Sequence, residues 1–373
     1  MNTNFNTCYK LKDSVEVYIQ KNENRVGEFY IQFYRINTRE KVLIESHALM
    51  LEVLPLLDGL HSLDSISQKL SIEMNSLHQF IHFLKTQNLI IDASMQTEIN
   101  ERFSRQIAFF DDLNISLSGE DCQKALESKK IVIFGAGSVG SSIAILLARM
   151  GIQNFVLIDY KRLKRSNATK HFYTHKNNLN AYKTLALKEY LLEIDTRLNI
   201  KTFEDKIIPS SDLSLYINDN TDLVINTMDE PYIGHLSLKI GRFCYPKNIA
   251  MFVGGGFNAH SMSTGEIIIP KVTPCIDCYV NDFKERLKDY HPTYITISHN
   301  TPSNKESEND VILGGCGSIS ACSLFSASYA SLCIVYFLLG VDFPKTKRGE
   351  YLINQGEFFW IELKKHKECK VCG

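Results

Sequence analysis

The 373 residues carry 41 Lys and Arg against 42 Asp and Glu, a formal net charge of −1, so no broad basic field argues for nucleic acid. That length accommodates one large and one small domain, each with its own core, and the leading MNTNFNTCYKLKD lacks the apolar stretch of a signal peptide. A cytoplasmic chain is therefore expected, in which ten cysteines read as ligands or buried thiols rather than disulfides.

Residues 1–95 are expected to form the smaller domain. SVEVYIQ and EFYIQFYRI alternate as strands do, NENRVG is the turn between them, and VLIES is a third short strand. Three helical segments follow: HALMLEVLPLL, ending before Asp58-Gly59 and interrupted by Pro55, then SLDSISQKLS, then MNSLHQFIHFLKTQNLI. A small sheet followed by short helices resembles a winged helix, and LDG, SISQKL and FLKTQNLI resemble the clamp domains that hold leader peptides. Such a clamp would take the leader as an added strand near Glu28 to Ile36. A DNA-binding winged helix and a dimerisation module are the alternatives, and the few basic residues on the third helix count against DNA.

Residues 96–373 are expected to form the larger domain, with residues 92–128 reading as a polar connection and an amphipathic lead-in. Strands and helices then alternate: IVIF, a helix over 141–150, FVLID, a helix over 181–193, NIKTFE, TDLVINT, a helix over 232–243, and NIAMFVGGGF. That rhythm predicts a mainly parallel sheet with helices on both faces. SMSTGEIIIP and EFFWIELK predict an antiparallel extension, and YHPTYITISHNTPSNKESEND reads as a mobile loop. The uncharged stretch 311–341 is long enough to cross a membrane. Its Gly, Ser, Cys and Ala content favours a close-packed helix within the α/β domain.

Two motifs carry chemistry. In IVIFGAGSVGSSIAILLARMGIQNFVLID, Gly135, Gly137 and Gly140 would let backbone approach a phosphate at a helix start, while Asp159 closes the next strand where a ribose hydroxyl needs an acceptor. A glycine pattern alone also fits a plain strand-to-helix turn, so its place between two apolar runs matters. The second motif is a pair of CxxC sequences, Cys275/Cys278 and Cys369/Cys372. Four thiolates at this spacing complete a closed tetrahedral zinc site with a structural role. Four unrelated thiols or one redox pair are the competing readings.

Arg102-Phe103-Ser104-Arg105-Gln106, the glycine loop, Asp159, Ser166-Asn167, Lys183, Asp229 and the two CxxC pairs occur in an order that resembles the ubiquitin-activating-like adenylating enzymes, the ThiF/MoeB/MccB family. The likeness covers about residues 100–373, and the clamp-like N-terminus points to the peptide-modifying members. It implies a Rossmann-like nucleotide fold in which Gly135, Gly137 and Gly140 surround the phosphates of ATP and Asp159 takes the ribose. By the same resemblance Asn167, Lys170 and Lys183 contact phosphate oxygens, Asp229 holds Mg2+, and Arg105 reaches the triphosphate of a neighbouring subunit, making a homodimer.

Each residue also has a plain reading: Lys183 as a solvated helix lysine, Arg102 and Arg105 as surface charges, and Lys161, Arg162, Lys164 and Arg165 as a solvated basic turn. The chain departs from the family pattern at Lys161, Lys170 and Glu230, and lysine lacks the arginine fork. No cysteine lies between 279 and 315, and Cys316 in GGCGS is read as a small residue rather than a working thiol. The resulting expectation is ATP- and Mg2+-dependent activation of a precursor-peptide carboxylate, glutamate side chains in first place, with structural Zn2+ and neither nucleic acid nor membrane as partner. C-terminal adenylation of a microcin-like peptide, adenylation of a ubiquitin-like sulfur carrier, and a nicotinamide-dependent oxidoreductase or nucleotide-binding regulator are the alternatives.

Overall fold

The computed structural model describes residues 6–93, 101–113, 117–229, 233–254, 262–286, 288 and 319–372. The expected loop over 290–310, Glu230, Cys316 and residues 311–318 of the 311–341 stretch lie outside the described residues. The chain divides into two compact units, Met1–Lys124 and Ala125–Gly373.

In the first unit, β1 (Cys8–Leu11) precedes an antiparallel meander of β2 (Val15–Lys21), β3 (Glu28–Arg35) and β4 (Lys41–His47). The three expected strands are thus present. The leader was expected to add along β3, but β3 is paired on both sides. Its backbone groups are consumed by β2 and β4, so an incoming strand finds a free edge only on those two.

Next comes α1 (Ala48–Val53), which passes into a 3-10 turn over Leu54–Leu56. Pro55 accounts for the change, because it has no N–H for a helical bond and fixes its own φ. Asp58-Gly59 opens β5 (Asp58–Ser62) rather than a plain turn, and β5 pairs with β1. Ser62 caps α2 (Leu63–Leu70), its hydroxyl accepting from the Ser65 N–H at 3.2 Å. Then α3 (Met74–Thr86) leads to β6 (Ile90–Asp92), which completes the sheet β5-β1-β6.

Ile31 and Phe33 from the meander pack with Leu63, Ile66, Leu77, Ile81 and Leu84 in one core. The segment expected as a polar connection and amphipathic lead-in holds two helices, α4 (Ser104–Asp111) and α5 (Gly119–Ser128). The end of α4 is tied into the first unit. Asp112 accepts from Ser14 Oγ at 2.9 Å and Asn37 Nδ2 at 2.6 Å, and the buried Lys12 Nζ donates to the Asp111 carbonyl at 2.7 Å.

The second unit is built on β7 (Lys130–Phe134), α6 (Ser138–Arg149), β8 (Asn154–Ile158), α7 (Lys183–Ile194), β9 (Asn199–Phe203), β10 (Leu223–Asn226), α8 (Ile233–Cys244) and β11 (Ala250–Val253). The five strands are parallel in the order β11-β10-β7-β8-β9. Alternation along each strand serves two faces. Val132, Phe134, Val156, Ile158 and Val224 join Leu236, Ile240 and Cys244 of α8. Ile131, Ile133, Phe155, Leu157 and Ile225 are buried on the other face, where α6 meets β7 and α7 meets β9.

After β12 (Met262–Ser263), the antiparallel β13 (Glu266–Ile268) extends the sheet beyond β11. Then follow α9 (Ile276–Arg286), α10 (Ser320–Leu339), β14 (Lys347–Leu352) and β15 (Glu357–Glu362), with β12-β14-β15 forming a separate sheet. A buried Arg348 joins the two sheets, donating to Glu266 Oε2 at 2.6 Å and Ser263 Oγ at 3.0 Å. SMSTGEIIIP holds β12 and β13, of which β13 extends the main sheet as expected, whereas EFFWIELK holds β15 in the separate sheet and β14 was not foreseen. By length and composition α10 could cross a membrane, yet it packs along α6.

Candidate nucleotide site and cysteine cluster

Strand order reverses direction between β7 and β10, because the chain runs outward through β8 and β9 and then returns to the other side. Ligands in open α/β sheets bind at the carboxyl ends of strands at such a point. A cleft of about 270 Å³ opens there, lined by Gly135, Gly137, Asp159, Asn167, Lys170, Lys183 and Asp229. These are seven of the eight second-unit residues singled out for phosphate, ribose and magnesium.

Gly140 is the eighth, and it has a different place. A Cβ there would overlap the Gly135 carbonyl oxygen and come within 2.5 Å of Thr227 Oγ1, so this glycine allows α6 to sit against the loop and β10. Gly135 needs its lack of side chain for two reasons, a φ of +100° and a Cβ position 2.7 Å from Thr227 Oγ1. Gly137 faces open space.

The loop is held by groups not apparent from the motif. Thr227 donates to the carbonyls of Phe134 and Gly135 at 3.2 and 3.0 Å, and the buried Tyr173 donates to the Ala136 carbonyl at 2.5 Å. Ser138 and Val139, in the first turn of α6, line the cleft, where amide N–H groups and the helix dipole favour an anion. Ser138 Oγ donates to Ser323 Oγ of α10 at 2.7 Å.

Asp159 is buried and takes two backbone N–H groups, Ala136 on Oδ2 at 2.9 Å and Lys161 on Oδ1 at 2.8 Å. Each oxygen retains acceptor capacity toward a hydroxyl. Asn167 Oδ1 accepts from the Lys164 N–H at 2.9 Å. Lys183 opens α7 and is buried, unlike a solvated helix lysine. Lys161 also lines the cleft, with Nζ 3.9 Å from the exposed Asp229 carboxylate. Water screens that pair and leaves it weak. One exposed carboxylate beside phosphate oxygens is a donor set magnesium commonly uses, so Asp229 could serve it.

His171 is the residue the sequence reading passed over. It is buried, lines the cleft, and stacks on Tyr173 with ring centroids 5.6 Å apart. Burial, then Lys183 and Lys170, push its imidazole down to about 3, which keeps it neutral. Arg105 lies on an exposed position of α4 in the first unit.

The four expected cysteine ligands converge. Their Sγ atoms all lie within 4.8 Å of one another, with Cys275 to Cys369 at 3.5 Å and Cys278 to Cys372 at 3.4 Å. Tetrahedral zinc with bonds of about 2.3 Å spaces its sulfurs by about 3.8 Å, so these residues could hold such an ion. The His366 N–H donates to Cys278 Sγ at 3.3 Å, a contact that favours thiolate. The cluster pins the C-terminal tail to the start of α9.

The model of the ThiF family matches residues 104–371. The chain belongs to the ThiF family. Among curated ThiF-like relatives it is similar to an adenylyltransferase and sulfurtransferase, UBA4, of Lodderomyces elongisporus, 25% identical over 60% of this chain and 48% of that protein. It is also similar to ubiquitin-activating enzyme E1 1 of Triticum aestivum, 26% identical over 42% of this chain and 15% of the wheat protein. The chain thus spans about half or less of these relatives. Among solved structures, E. coli MccB with AMPCPP and MccA superposes with a TM-score of 0.70 at 18% identity, covering 98% of this chain and 99% of that one. PaaA superposes with a TM-score of 0.70 at 20% identity, covering 95% and 100%. The MccB-like α/β fold therefore extends over nearly the whole chain, the first unit included.

Proposed function

We propose that this ThiF-family chain is an ATP- and Mg2+-dependent adenylating enzyme that activates a carboxylate of a ribosomally made precursor peptide, glutamate side chains in first place. The observation that carries the reading is the cleft at the sheet's switch point, where a helix N-terminus, Lys170, Lys183, Asn167 and Asp229 surround one space. Triphosphate charge is neutralised there from several directions. The carboxylate oxygen attacks the α-phosphorus of ATP, a C–O–P mixed anhydride forms, and the bond to the β-phosphate breaks with its electron pair leaving on pyrophosphate. An amide nitrogen or enolate carbon of the same peptide then attacks the acyl carbon, and AMP departs.

In this scheme Lys183 and Lys170 hold phosphate oxygens, Asp159 accepts from the ribose, and Arg105 serves the nucleotide of a second subunit. Magnesium bound at Asp229 would supply further neutralisation of the leaving pyrophosphate. The four cysteines hold Zn2+ as a structural ion. Support for the peptide substrate comes from MccB, whose structure contains MccA, and from the whole-chain likeness to MccB and PaaA. In our reading the first unit is a winged-helix-like clamp that takes the leader along an edge strand, β2 or β4. A homodimer is part of this reading, with Arg105 of one subunit reaching the nucleotide of the other.

Purified chain incubated with Mg-ATP and a short peptide encoded beside its gene is expected to release pyrophosphate only when the peptide is present. Peptide-independent turnover, or none with any candidate peptide, would overturn the proposal. The name of the Lodderomyces relative favours a second reading, adenylation of a ubiquitin-like sulfur carrier. It requires a folded partner ending in Gly-Gly and a working thiol, for which Cys316 is the candidate. Full activity in Cys316→Ala would remove it.

A further inference from the structure

Four basic residues crowd the turn after β8, Lys161, Arg162, Lys164 and Arg165, and the scheme above uses none of them. Three stand apart from the cleft. Arg162 lays its guanidinium over the Tyr182 ring at 3.7 Å and donates to the Asn180 carbonyl at 2.7 Å, while Lys164 and Arg165 are exposed and do not line the cleft. Lys161 is different, being half-buried and part of the cleft wall.

Its backbone is fixed on both sides. The Lys161 N–H donates to Asp159 Oδ1 at 2.8 Å and its carbonyl accepts from the Lys183 N–H at 3.0 Å, so this residue ties the proposed ribose acceptor to a proposed phosphate lysine. The direction of its side chain is given by Asp229, whose Oδ1 lies 3.9 Å from Lys161 Nζ. Lys161 follows β8 and Asp229 follows β10, and β7 runs between those two parallel strands. The ammonium is therefore directed across the carboxyl end of β7, from which Gly135 and Gly137 leave as the glycine loop.

Asp229 by itself is a weak reason for a cation there, because its carboxylate is 79% exposed and water screens the pair. The rest of the cleft gives a stronger one. Lys161, Lys170, Lys183 and the start of α6 line one space whose acids are Asp159, already held by two backbone N–H groups, and Asp229. That balance suits a ligand with several negative charges.

We propose that Lys161 is a further nucleotide-binding residue, its ammonium donating to a phosphate oxygen of ATP next to the magnesium proposed at Asp229. This rests on the nucleotide reading of the cleft. With the Asp229 carboxylate committed to magnesium, the ammonium beside it turns to the phosphate oxygens, in a charge-assisted contact. The departure from the family pattern at Lys161 thereby becomes an added phosphate contact.

The test compares Mg-ATP affinity, by titration calorimetry, in the wild-type chain, Lys161→Met and Lys161→Arg. Methionine keeps the apolar stem and removes the charge, while arginine keeps the charge. The expected result is a Kd raised on the order of tenfold in Lys161→Met and within about threefold of wild type in Lys161→Arg. Melting temperatures of the nucleotide-free proteins should be alike, since the exposed pair with Asp229 contributes little to stability. Because the contact is between charges at a partly exposed position, the advantage of wild type over Lys161→Met should shrink as salt rises from about 0.05 M to about 0.5 M. Equal affinity in Lys161→Met, an advantage indifferent to salt, or no rescue by arginine in a variant that melts normally would each overturn the assignment. Unchanged Mg-ATP affinity with a raised peptide KM in pyrophosphate release would also overturn it, and would move Lys161 to peptide recognition. Failure of the wild-type chain to bind Mg-ATP would sink the nucleotide reading and this inference together. Wild-type binding with an indifferent Lys161→Met sinks this inference alone.

Discussion

The nucleotide cleft and the cysteine cluster sit in the same unit and are both assembled from distant sequence, yet they are built on opposite plans. The cluster consists of four side chains of one type, brought to 3.4 and 3.5 Å in pairs, with Cys275, Cys278 and Cys369 buried and Cys372 half-buried. The cleft is shaped largely by backbone, namely two glycines, a helix start and carbonyls pinned by Thr227 and Tyr173, with charged side chains around an open space. A closed sulfur site can only stabilise, because no coordination position is left for a substrate. An open charged site leaves its side chains free to meet a ligand and contributes less to holding the fold together. Disrupting the first should therefore unfold the protein, and disrupting the second should silence it.

The sharpest test of that division is Cys275→Ser. Loss of the proposed zinc ion is expected to lower the melting temperature by about 10 °C or more, since a structural zinc contributes folding energy directly, and metal content measured by mass spectrometry should fall with it. A variant that melts normally and retains nucleotide turnover would show that the four thiols are not a site.

Lys183→Ala and Asp229→Ala should do the reverse. Pyrophosphate release is expected to fall on the order of a hundredfold to a thousandfold, with melting little changed for the exposed Asp229. Unchanged turnover in both would end the site assignment.

Two glycines separate packing from binding within one loop. Gly140→Ala forces a methyl against the Gly135 carbonyl and Thr227 Oγ1 and should destabilise by about 1–3 kcal/mol in denaturant titrations. Gly137→Ala meets nothing within 4 Å. Its melting should match wild type, and any effect should appear in nucleotide affinity.

A further effect is one of pH. His171 has a folded value pushed down to about 3 by burial and the neighbouring lysines, against about 6.5 in an unfolded chain. Below 6.5 the unfolded chain takes up the proton first, so stability is complete above that pH and is lost as pH falls toward 3, by about 1.4 kcal/mol per unit for this residue. His171→Asn should flatten this part of the acid limb in urea titrations between pH 6.5 and 5. An identical limb in wild type and variant would mean the imidazole is not held neutral.

These residues also show how far sequence carries. The meander over Val15–His47 was legible because strand alternation and a turn signal are local, but β1, β5 and β6 were not. They are short, and they pair across up to about eighty residues of chain. Pro55 correctly marked a break in its helix. Asp58-Gly59 resembled a stop and proved to be the start of a strand, because pairing with β1 outweighed turn preference.

What the sequence determined by itself was whatever is encoded in spacing: two CxxC pairs, a glycine loop between apolar strands, an acid after the second strand, and the alternation of strand and helix that commits the second unit to a parallel sheet. Tertiary structure decided the rest. Only the fold shows that Gly140 packs while Gly137 faces the cleft, that β3 is closed to an added strand, that Thr227 and Tyr173 hold the loop, and that burial with Lys183 and Lys170 pushes the His171 imidazole down. The reason is physical. Periodicity and spacing report on neighbours along the chain, whereas burial, field and hydrogen-bond partners are set by residues that meet only after folding, as Ser138 meets Ser323 from 185 positions away.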